Sequence, residues 1–167
     1  LGLPCLITHP GAHMGAGIGA GLARVAQSID WIHDRADAGF PRLCLENTAG
    51  AGATIGRSVD ELAVLVDALD GHPRLGLCLD SCHWYVSGVD VTNRKILRAA
   101  VADIDARIGL DRLRCLHVND SKAPLGSNLD RHETTGAGLI GDDGLRTFLA
   151  HPACKRLPAI LETPGPE

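Results

Sequence analysis

The stretch LGLCLD, residues 75–80, is a short apolar run that ends in a carboxylate. Four further runs of the same kind end in His9, Glu46, His117 and Glu162, and successive ends lie 34 to 45 residues apart. Apolar runs of this length, bounded by turn residues, are typical of buried strands. We therefore predict strands over residues 3–9, 42–46, 75–80, 113–117 and 157–162.

The segments between these runs have the apolar periodicity of helices. Leu22, Val25 and Ile29 form a stripe in the first segment, and residues 58–61 have the pattern of a capping box at the start of the second. In the third segment, Ile96 belongs to the stripe that is expected to face the sheet. We predict helices over residues 22–32, 58–71, 92–109 and 142–150. The alternation of strands and helices indicates an α/β fold with a parallel sheet.

The connection after the fourth predicted strand differs from the others. Residues 121–140 show no convincing periodicity, but they contain several glycines together with Asp130 and His132. Because a structureless connection of this length is usually functional, we predict that it is an active-site loop.

The composition is that of a globular domain, since 45% of the 167 residues are hydrophobic and 22% are charged. No apolar run is long enough to cross a membrane, so no membrane partner is expected. The formal charge of -4 argues against a broad basic surface for non-specific nucleic-acid binding.

Cys5, Cys44, Cys78 and Cys115 each lie within an apolar run. This placement is typical of buried free thiols in a reducing compartment and indicates a cytoplasmic protein. The last three cysteines each precede a polar strand end by two residues, and alternate residues of a strand share a face. They are therefore expected one layer below the polar side chains, as apolar filling of a tapering interior.

Five successive strands ending in His, Glu or Asp bring metal-binding side chains to the carboxyl edge of the sheet, where α/β proteins bind ligands. The candidate ligands are His9, Glu46, Asp80, His83, His117, Asp130, His132 and Glu162. Imidazoles and carboxylates without a cysteine favour zinc or manganese at a catalytic site. Eight ligands suit two or three ions. The other histidines considered, His33, His72 and His151, are predicted to be solvated.

Six motifs in this order resemble the successive signatures of the endonuclease IV family of apurinic/apyrimidinic endonucleases, also called AP endonuclease family 2. They are HPGAH (9–13), LENTAGAG (45–52), CLDSCH (78–83), HVNDSK (117–122), GSNLDRHETTGAGLIG (126–141) and LETP (161–164). The sequence departs from the family pattern at Ala51, where Gln is common, and at Ser81, where Thr is frequent.

The resemblance implies a TIM-type (β/α)8 barrel, of which this chain would hold about five β/α units, strands 4 to 8, in a single domain. A barrel of this type has about 250 residues, so three N-terminal units and the last helix are expected to be missing. The implied function is DNA repair: hydrolysis of the phosphodiester bond 5′ to an abasic site in double-stranded DNA, leaving a 3′-hydroxyl. The full-length protein is expected to be a monomer, whereas an open five-stranded piece is expected to be unstable or to aggregate.

The resemblance also implies a role for each candidate residue. His9 and Glu46 would bind the first of three Zn²⁺ ions, with Mn²⁺ as an alternative in one position, and Glu46 would bridge to the second. Asp80, His117 and Glu162 would complete the second site, and His83, Asp130 and His132 would form the third. Glu46 and Glu162 would be catalytic. Asn119, Asp120 and Lys122 would supply hydrogen bonds to the ligands and a contact with a DNA phosphate, and Arg131 would pair with a phosphate.

Two other functions are compatible with the motifs. Related barrels hold two metals at strand ends for sugar isomerisation, but that chemistry leaves the group of His83, Asp130 and His132 without a use. The chain is alternatively a metal-binding piece without activity, because one histidine expected on the first zinc is not among its residues. Three divalent ions would change the formal charge from -4 to +2 and favour a phosphate substrate.

Overall fold

The computed structural model describes residues 2–37 and 39–163 of the chain. In chain order, its elements are β1 (Cys5–Thr8), α1 (Ile18–Arg35), β2 (Arg42–Glu46), α2 (Val59–Ala68), β3 (Leu75–Asp80), α3 (Ser81–Ser87), α4 (Arg94–Arg107), β4 (Leu113–His117), β5 (Asp120–Ser121), β6 (His132–Glu133), α5 (Gly141–Leu149) and β7 (Ala159–Ile160). Short 3-10 turns at Leu110–Arg112 and Pro152–Cys154 lie before β4 and β7.

Five strands form one sheet in the order β1-β2-β3-β4-β7, and every neighbouring pair is parallel. The predicted α/β fold with a parallel sheet is therefore confirmed. β5 and β6 form a separate antiparallel pair. In the described part of the chain, no helix has the length and apolar character that a membrane span requires.

The two faces of the sheet are packed differently. Leucines of β2 and β3 pack against the buried sides of the helices, in a core whose largest side chains include Trp84 and Phe148. On the other face Cys44, Cys78 and Cys115 form a small cluster of their own. The predicted cysteine layer is therefore present, and the polar ends of the same strands follow it.

The boundaries of the outer strands correct the prediction. β1 and β7 are shorter than expected, so His9 and Glu162 follow their strands instead of ending them. Both strands lie at the edges of the sheet, where each has a single partner. Cys5 is half-buried for the same reason, whereas the other five cysteines are buried, and all six thiols are free.

Two further elements were not predicted. α3 begins directly after β3, where the Asp80 carboxylate accepts a hydrogen bond from the backbone N–H of His83 at 2.7 Å and caps the helix. Seven residues are too few for a helical period to be recognised. The predicted structureless connection over residues 121–140 includes β6 and the end of β5, whose two-residue strands are also too short to give a pattern.

Some side chains lie elsewhere than expected. Ile96 is 42% exposed and does not face the sheet, because α4 buries the stripe of Leu97, Val101 and Ile104. His33 was predicted to be solvated, but it is buried, and its ring stacks on that of His72 with centroids 3.9 Å apart.

Candidate metal centre

Glu46 is the centre of a cluster of imidazoles at the carboxyl edge of the sheet. It ends β2 and is 3% exposed. Its Oε1 lies 2.9 Å from His117 Nδ1 and 3.2 Å from His83 Nδ1, and its Oε2 lies 3.5 Å from His9 Nε2. Burial raises the pKa of this carboxyl, but hydrogen bonds with the three imidazoles lower it by more. The net pKa is below the ordinary value, so the group is anionic. Glu46 thus has the contacts expected of a bridging carboxylate.

A second group adjoins Glu46 on the side of β4 and β7. His117 Nδ1 lies 3.1 Å from Glu162 Oε2 and 3.9 Å from Asp80 Oδ2. Ligand atoms of Glu46, Asp80, His117 and Glu162 all lie within 4.8 Å of one another. The four residues predicted for one ion are therefore close enough to share it.

A third group lies beside His83. The Asp130 carboxylate is between two imidazoles, with Oδ2 3.2 Å from His83 Nε2 and Oδ1 3.3 Å from His132 Nε2. The β5–β6 pair positions this group, because its register sets His132 opposite Ser121. Asp130 and His132 therefore reach His83 although nearly fifty residues separate them in sequence.

The charge and hydrogen bonding of the cluster fit divalent cations. Within residues 2–37 and 39–163, no lysine or arginine forms an ion pair with Glu46, Asp80, Asp130 or Glu162. The Nε2 atoms of His83 and His132 are buried without a hydrogen-bond partner although both face Asp130. Burial lowers the pKa of His83, but the carboxylates of Asp130 and Glu46 raise it to about 11. The raised pKa of His83 thus reflects the negative charge of the neighbouring carboxylates, which a bound cation would balance.

One buried amide, that of Asn119, holds two of the carboxylates in place. The Asn119 amide donates to Asp80 Oδ2 at 2.6 Å and to Glu162 Oε2 at 3.3 Å, and its oxygen accepts from the Glu162 N–H at 2.8 Å. Asn119 is 0% exposed and makes the hydrogen bonds to ligand residues that were predicted for it, whereas its contact with a DNA phosphate stays a prediction. Its side chain turns inward because both carboxylates need a donor.

Asn47 is a positioning residue that the sequence did not single out. Its amide accepts from the Asp80 N–H at 2.7 Å and donates to the Asp80 carbonyl at 3.1 Å, and its carbonyl lies 2.8 Å from His83 Nδ1. The sequence does contain one signal for Asn47, since it directly follows Glu46 at the end of β2. The amide cross-links the ends of β2 and β3 beneath the metal cluster.

The other two predicted phosphate contacts are at the surface. Lys122 is exposed, with Nζ 3.9 Å from Glu133, and Arg131 is exposed and donates to the carbonyl of Asp130. Both flank the third ligand group through the β5–β6 pair. A contact between either side chain and DNA stays a prediction.

Comparison with known proteins places this geometry in a family. The profile of the xylose isomerase-like TIM barrel family matches residues 1–167. A curated relative, the probable endonuclease 4 of Methanoculleus marisnigri, is 47% identical over all of this chain and 59% of its own length. The crystal structure of endonuclease IV from Thermus thermophilus superposes with a TM-score of 0.82 at 34% identity, over 99% of this chain and 57% of that one.

A D-tagatose 3-epimerase-like protein superposes with a TM-score of 0.71 at 19% identity, over 94% of this chain and 55% of that chain, which shows a shared fold. The five parallel strands thus correspond to about half of a TIM barrel, and the predicted fold class is confirmed. The chain spans 59% of the length of the first curated relative that it matches. The chain belongs to the xylose isomerase-like TIM barrel family, and the resemblance to endonuclease IV proteins inferred from its motifs is confirmed.

Proposed function

We propose that this chain carries the metal centre of a zinc-dependent DNA-repair endonuclease. Its substrate would be double-stranded DNA with an abasic site, and the reaction would be hydrolysis of the phosphodiester bond on the 5′ side of that site, leaving a 3′-hydroxyl. The substrate class is supported by the similarity to probable endonuclease 4 proteins over the whole chain. The choice of zinc is supported by the mixture of imidazole and carboxylate donors.

The three side-chain groups define which residues would hold which cation. His9 and Glu46 would hold the first, Asp80, His117 and Glu162 would share the second with Glu46, and His83, Asp130 and His132 would hold the third. When bound, divalent cations at such a centre activate water and neutralise charge on the phosphoryl group.

Glu46 and Glu162, the two carboxylates proposed to be catalytic, have different surroundings. Glu46 is buried and anionic, and its contacts with imidazoles from three elements fix both of its oxygens. The side chains of Glu162 and His9, which follow the two edge strands, are 47% and 46% exposed. The exposed Glu162 carboxylate would orient the attacking water.

The observation that carries the proposal is the third group of ligands. Asp130 is held between His83 and His132, next to but separate from the contacts made by Glu46. A two-metal sugar isomerase has no use for such a group, whereas the transfer of a charged phosphoryl group gains from each additional cation.

The direct test is cleavage of a duplex that carries one abasic-site analogue. We expect the zinc-loaded chain to nick this duplex on the 5′ side of the analogue and to leave an undamaged duplex intact. Glu46→Gln should reduce the rate at least about a hundredfold, because a bridging charge is lost.

Asp103→Asn is the matched control, because it makes the same carboxylate-to-amide change on α4, where Asp103 contacts Arg107 outside the three ligand groups. It should keep the wild-type rate. A folded chain that holds zinc but leaves the abasic duplex uncut contradicts the proposal for this chain. Retention of most activity in Glu46→Gln would remove that residue from the bridging role.

A further inference from the structure

A second group of metal-binding atoms lies on the same face of the sheet as the candidate metal centre. Cys5, Cys44 and Cys115 come from β1, β2 and β4, and their Sγ atoms all lie within 4.8 Å of one another. Cys78 is the register partner of Cys115 and belongs to the same buried cluster. Four neighbouring strands therefore each place one thiol in this layer, which we call the thiol cluster.

The thiol cluster is separate from the carboxylate and imidazole groups. Each of Cys44, Cys78 and Cys115 precedes a strand-end ligand by two residues, which corresponds to about 6.5 Å along a strand. None of the ligand groups formed by His, Asp and Glu in the described residues includes a cysteine. An ion held by the thiols would thus be distinct from the ions of the proposed catalytic centre.

Gly76 gives the cluster its space. A Cβ at this position would lie 2.8 Å from Cys44 Sγ, closer than real side chains approach. Gly76 shares the face of Cys78 on β3, so the sheet surface is left open where the sulfur of Cys44 lies. A larger residue here would push that sulfur away from Cys5 and Cys115.

Thiolates bind a particular class of metal. Soft sulfur ligands select Zn²⁺ and Cu⁺ over hard cations such as Mg²⁺ and Ca²⁺. Sulfur atoms around a tetrahedral zinc are about 3.8 Å apart, given a Zn–S bond of about 2.3 Å. The Sγ atoms of Cys5, Cys44 and Cys115, which all lie within 4.8 Å of one another, are close to this spacing.

We propose that the thiol cluster is a second metal site, in which Cys5, Cys44 and Cys115, with Cys78 as a fourth ligand, bind one Zn²⁺ or Cu⁺ ion. Each sulfur that bonds the ion releases its proton to solvent. A bound ion would join four strands below the catalytic centre and fix the spacing of the strand ends above it.

Cobalt is the first probe, because a Co²⁺–thiolate bond gives an intense charge-transfer band that imidazole and carboxylate ligands do not give. We expect the reduced wild-type chain to develop this band with one equivalent of Co²⁺ at the thiol cluster. Cys44→Val and Cys115→Val should lose the band or weaken Co²⁺ binding at that site at least tenfold. Cys154→Val is the matched control, because Cys154 is a buried free thiol outside the cluster.

X-ray absorption at the metal edge tests the wild-type chain without any substitution. The zinc-loaded chain should show a sulfur shell at about 2.3 Å in addition to nitrogen and oxygen ligands. A second sample is loaded with Zn²⁺ and Cu⁺ together. The ion that keeps its sulfur shell in this competition is the one that the thiol cluster prefers.

Two results would overturn the proposal. A fully loaded wild-type chain with only nitrogen and oxygen around the metal would show that the thiols are apolar filling. A Co²⁺–thiolate band that is unchanged in both Cys44→Val and Cys115→Val, or that is lost in Cys154→Val, would place the sulfur ligands elsewhere in the chain.

Discussion

Asp80 is the most deeply buried carboxylate of the metal cluster, with 0% exposure. Burial raises the pKa of this carboxyl, and the nearby His83 lowers it in part. The amide of Asn119 donates to one of its oxygens at 2.6 Å and also holds Glu162. The geometry of two ligands from different strands thus depends on one amide that itself binds no metal.

Replacing Asn119 by alanine should therefore weaken zinc binding. We expect a loss of about tenfold to a hundredfold in affinity, as is typical when a partner of metal ligands is removed. Competition with a chromogenic chelator measures this change. Asn93→Ala is the control, because it removes the cap of α4 and costs about 1 kcal/mol of stability without touching a ligand. Equal zinc affinities of the two variants would rule out the positioning role of Asn119.

His33 gives a second prediction, which concerns stability. Burial lowers its pKa, and His72 and Arg74 lower it further. The unfolded chain has the ordinary value of about 6.5, so below this pH it binds more protons than the folded chain. The stabilisation is therefore complete above about pH 6.5 and is lost as the pH falls through the lower folded value.

The His33 prediction is tested by urea unfolding between about pH 5.5 and pH 7.5. Towards the acidic end, the free energy of unfolding of the wild-type chain should fall relative to that of His33→Leu, because only the wild type carries the lowered pKa of His33. Ile29→Val, on the same buried side of α1, should keep the wild-type pH dependence. An identical slope in His33→Leu and wild type would contradict this explanation.

Most residues that meet at the candidate metal centre could be predicted from the sequence, because each of them at a strand end follows an apolar run that shows its position. Asn47 had no such signal of its own, since its importance depends on how closely β2 approaches β3. Hydrogen bonds from Asn119 to the ligands were predicted, but its partners Asp80 and Glu162 were not, because a single chain does not reveal which buried groups lack a donor. Contacts between residues that are far apart in the chain are therefore the part of the site that local sequence patterns do not predict.

At the scale of elements, Asp120 organises the connection between β4 and α5. Its carboxylate accepts hydrogen bonds from the backbone N–H groups of Ser121, Gly136, Gly138, Ile140 and Gly141 at 2.8 to 3.2 Å. The last two belong to the start of α5, which has no capping side chain of its own. A Cβ at Gly138 would collide with the carboxylate. One side chain thus closes the loop and caps the helix that follows it.

Asp120→Ala should loosen this connection and destabilise the chain. Five N–H groups would lose a charged acceptor, and we expect a loss of about 3 kcal/mol or more. The backbone amides of residues 136–141 should exchange their hydrogens faster than in the wild type, whereas exchange in the rest of the chain should change less. Asp143→Ala, which changes an acidic residue in the first turn of α5, is the control and should cost less than about 1 kcal/mol. Unchanged exchange at these amides would show that the loop is held by other contacts.

The longer helices and central strands were predictable because they satisfy a period over enough residues. α3 and the β5–β6 pair were not, since their formation depends on Asp80 as a cap and on long-range pairing of Ser121 with His132. These elements carry His83 and His132, which belong to the third ligand group. The least predictable elements of the fold therefore position part of its chemistry.

At the scale of the whole molecule, the sheet has two edges with exposed apolar side chains. β1 and β7 each have a single strand partner in the described part of the chain. Leu6 on β1 is 46% exposed and lines a groove of about 380 Å³ with Ile32 and Leu43. Trp31, at the exposed side of α1, extends this apolar surface. Unpaired backbone groups next to apolar side chains favour pairing with another sheet edge.

The chain should therefore self-associate as its concentration rises, through the edge formed by β1. Leu6→Lys places a charge at this edge and should weaken self-association about tenfold or more, which corresponds to about 1.4 kcal/mol. Sedimentation equilibrium measures the association constant. Val64→Lys adds the same charge on α2, at a residue that is 48% exposed and away from the edge, and should leave the constant nearly unchanged. If both variants weaken self-association equally, net charge controls it. If the wild-type chain stays monomeric at all concentrations, the exposed edge does not drive self-association. Only a selective effect of Leu6→Lys identifies β1 as the contact.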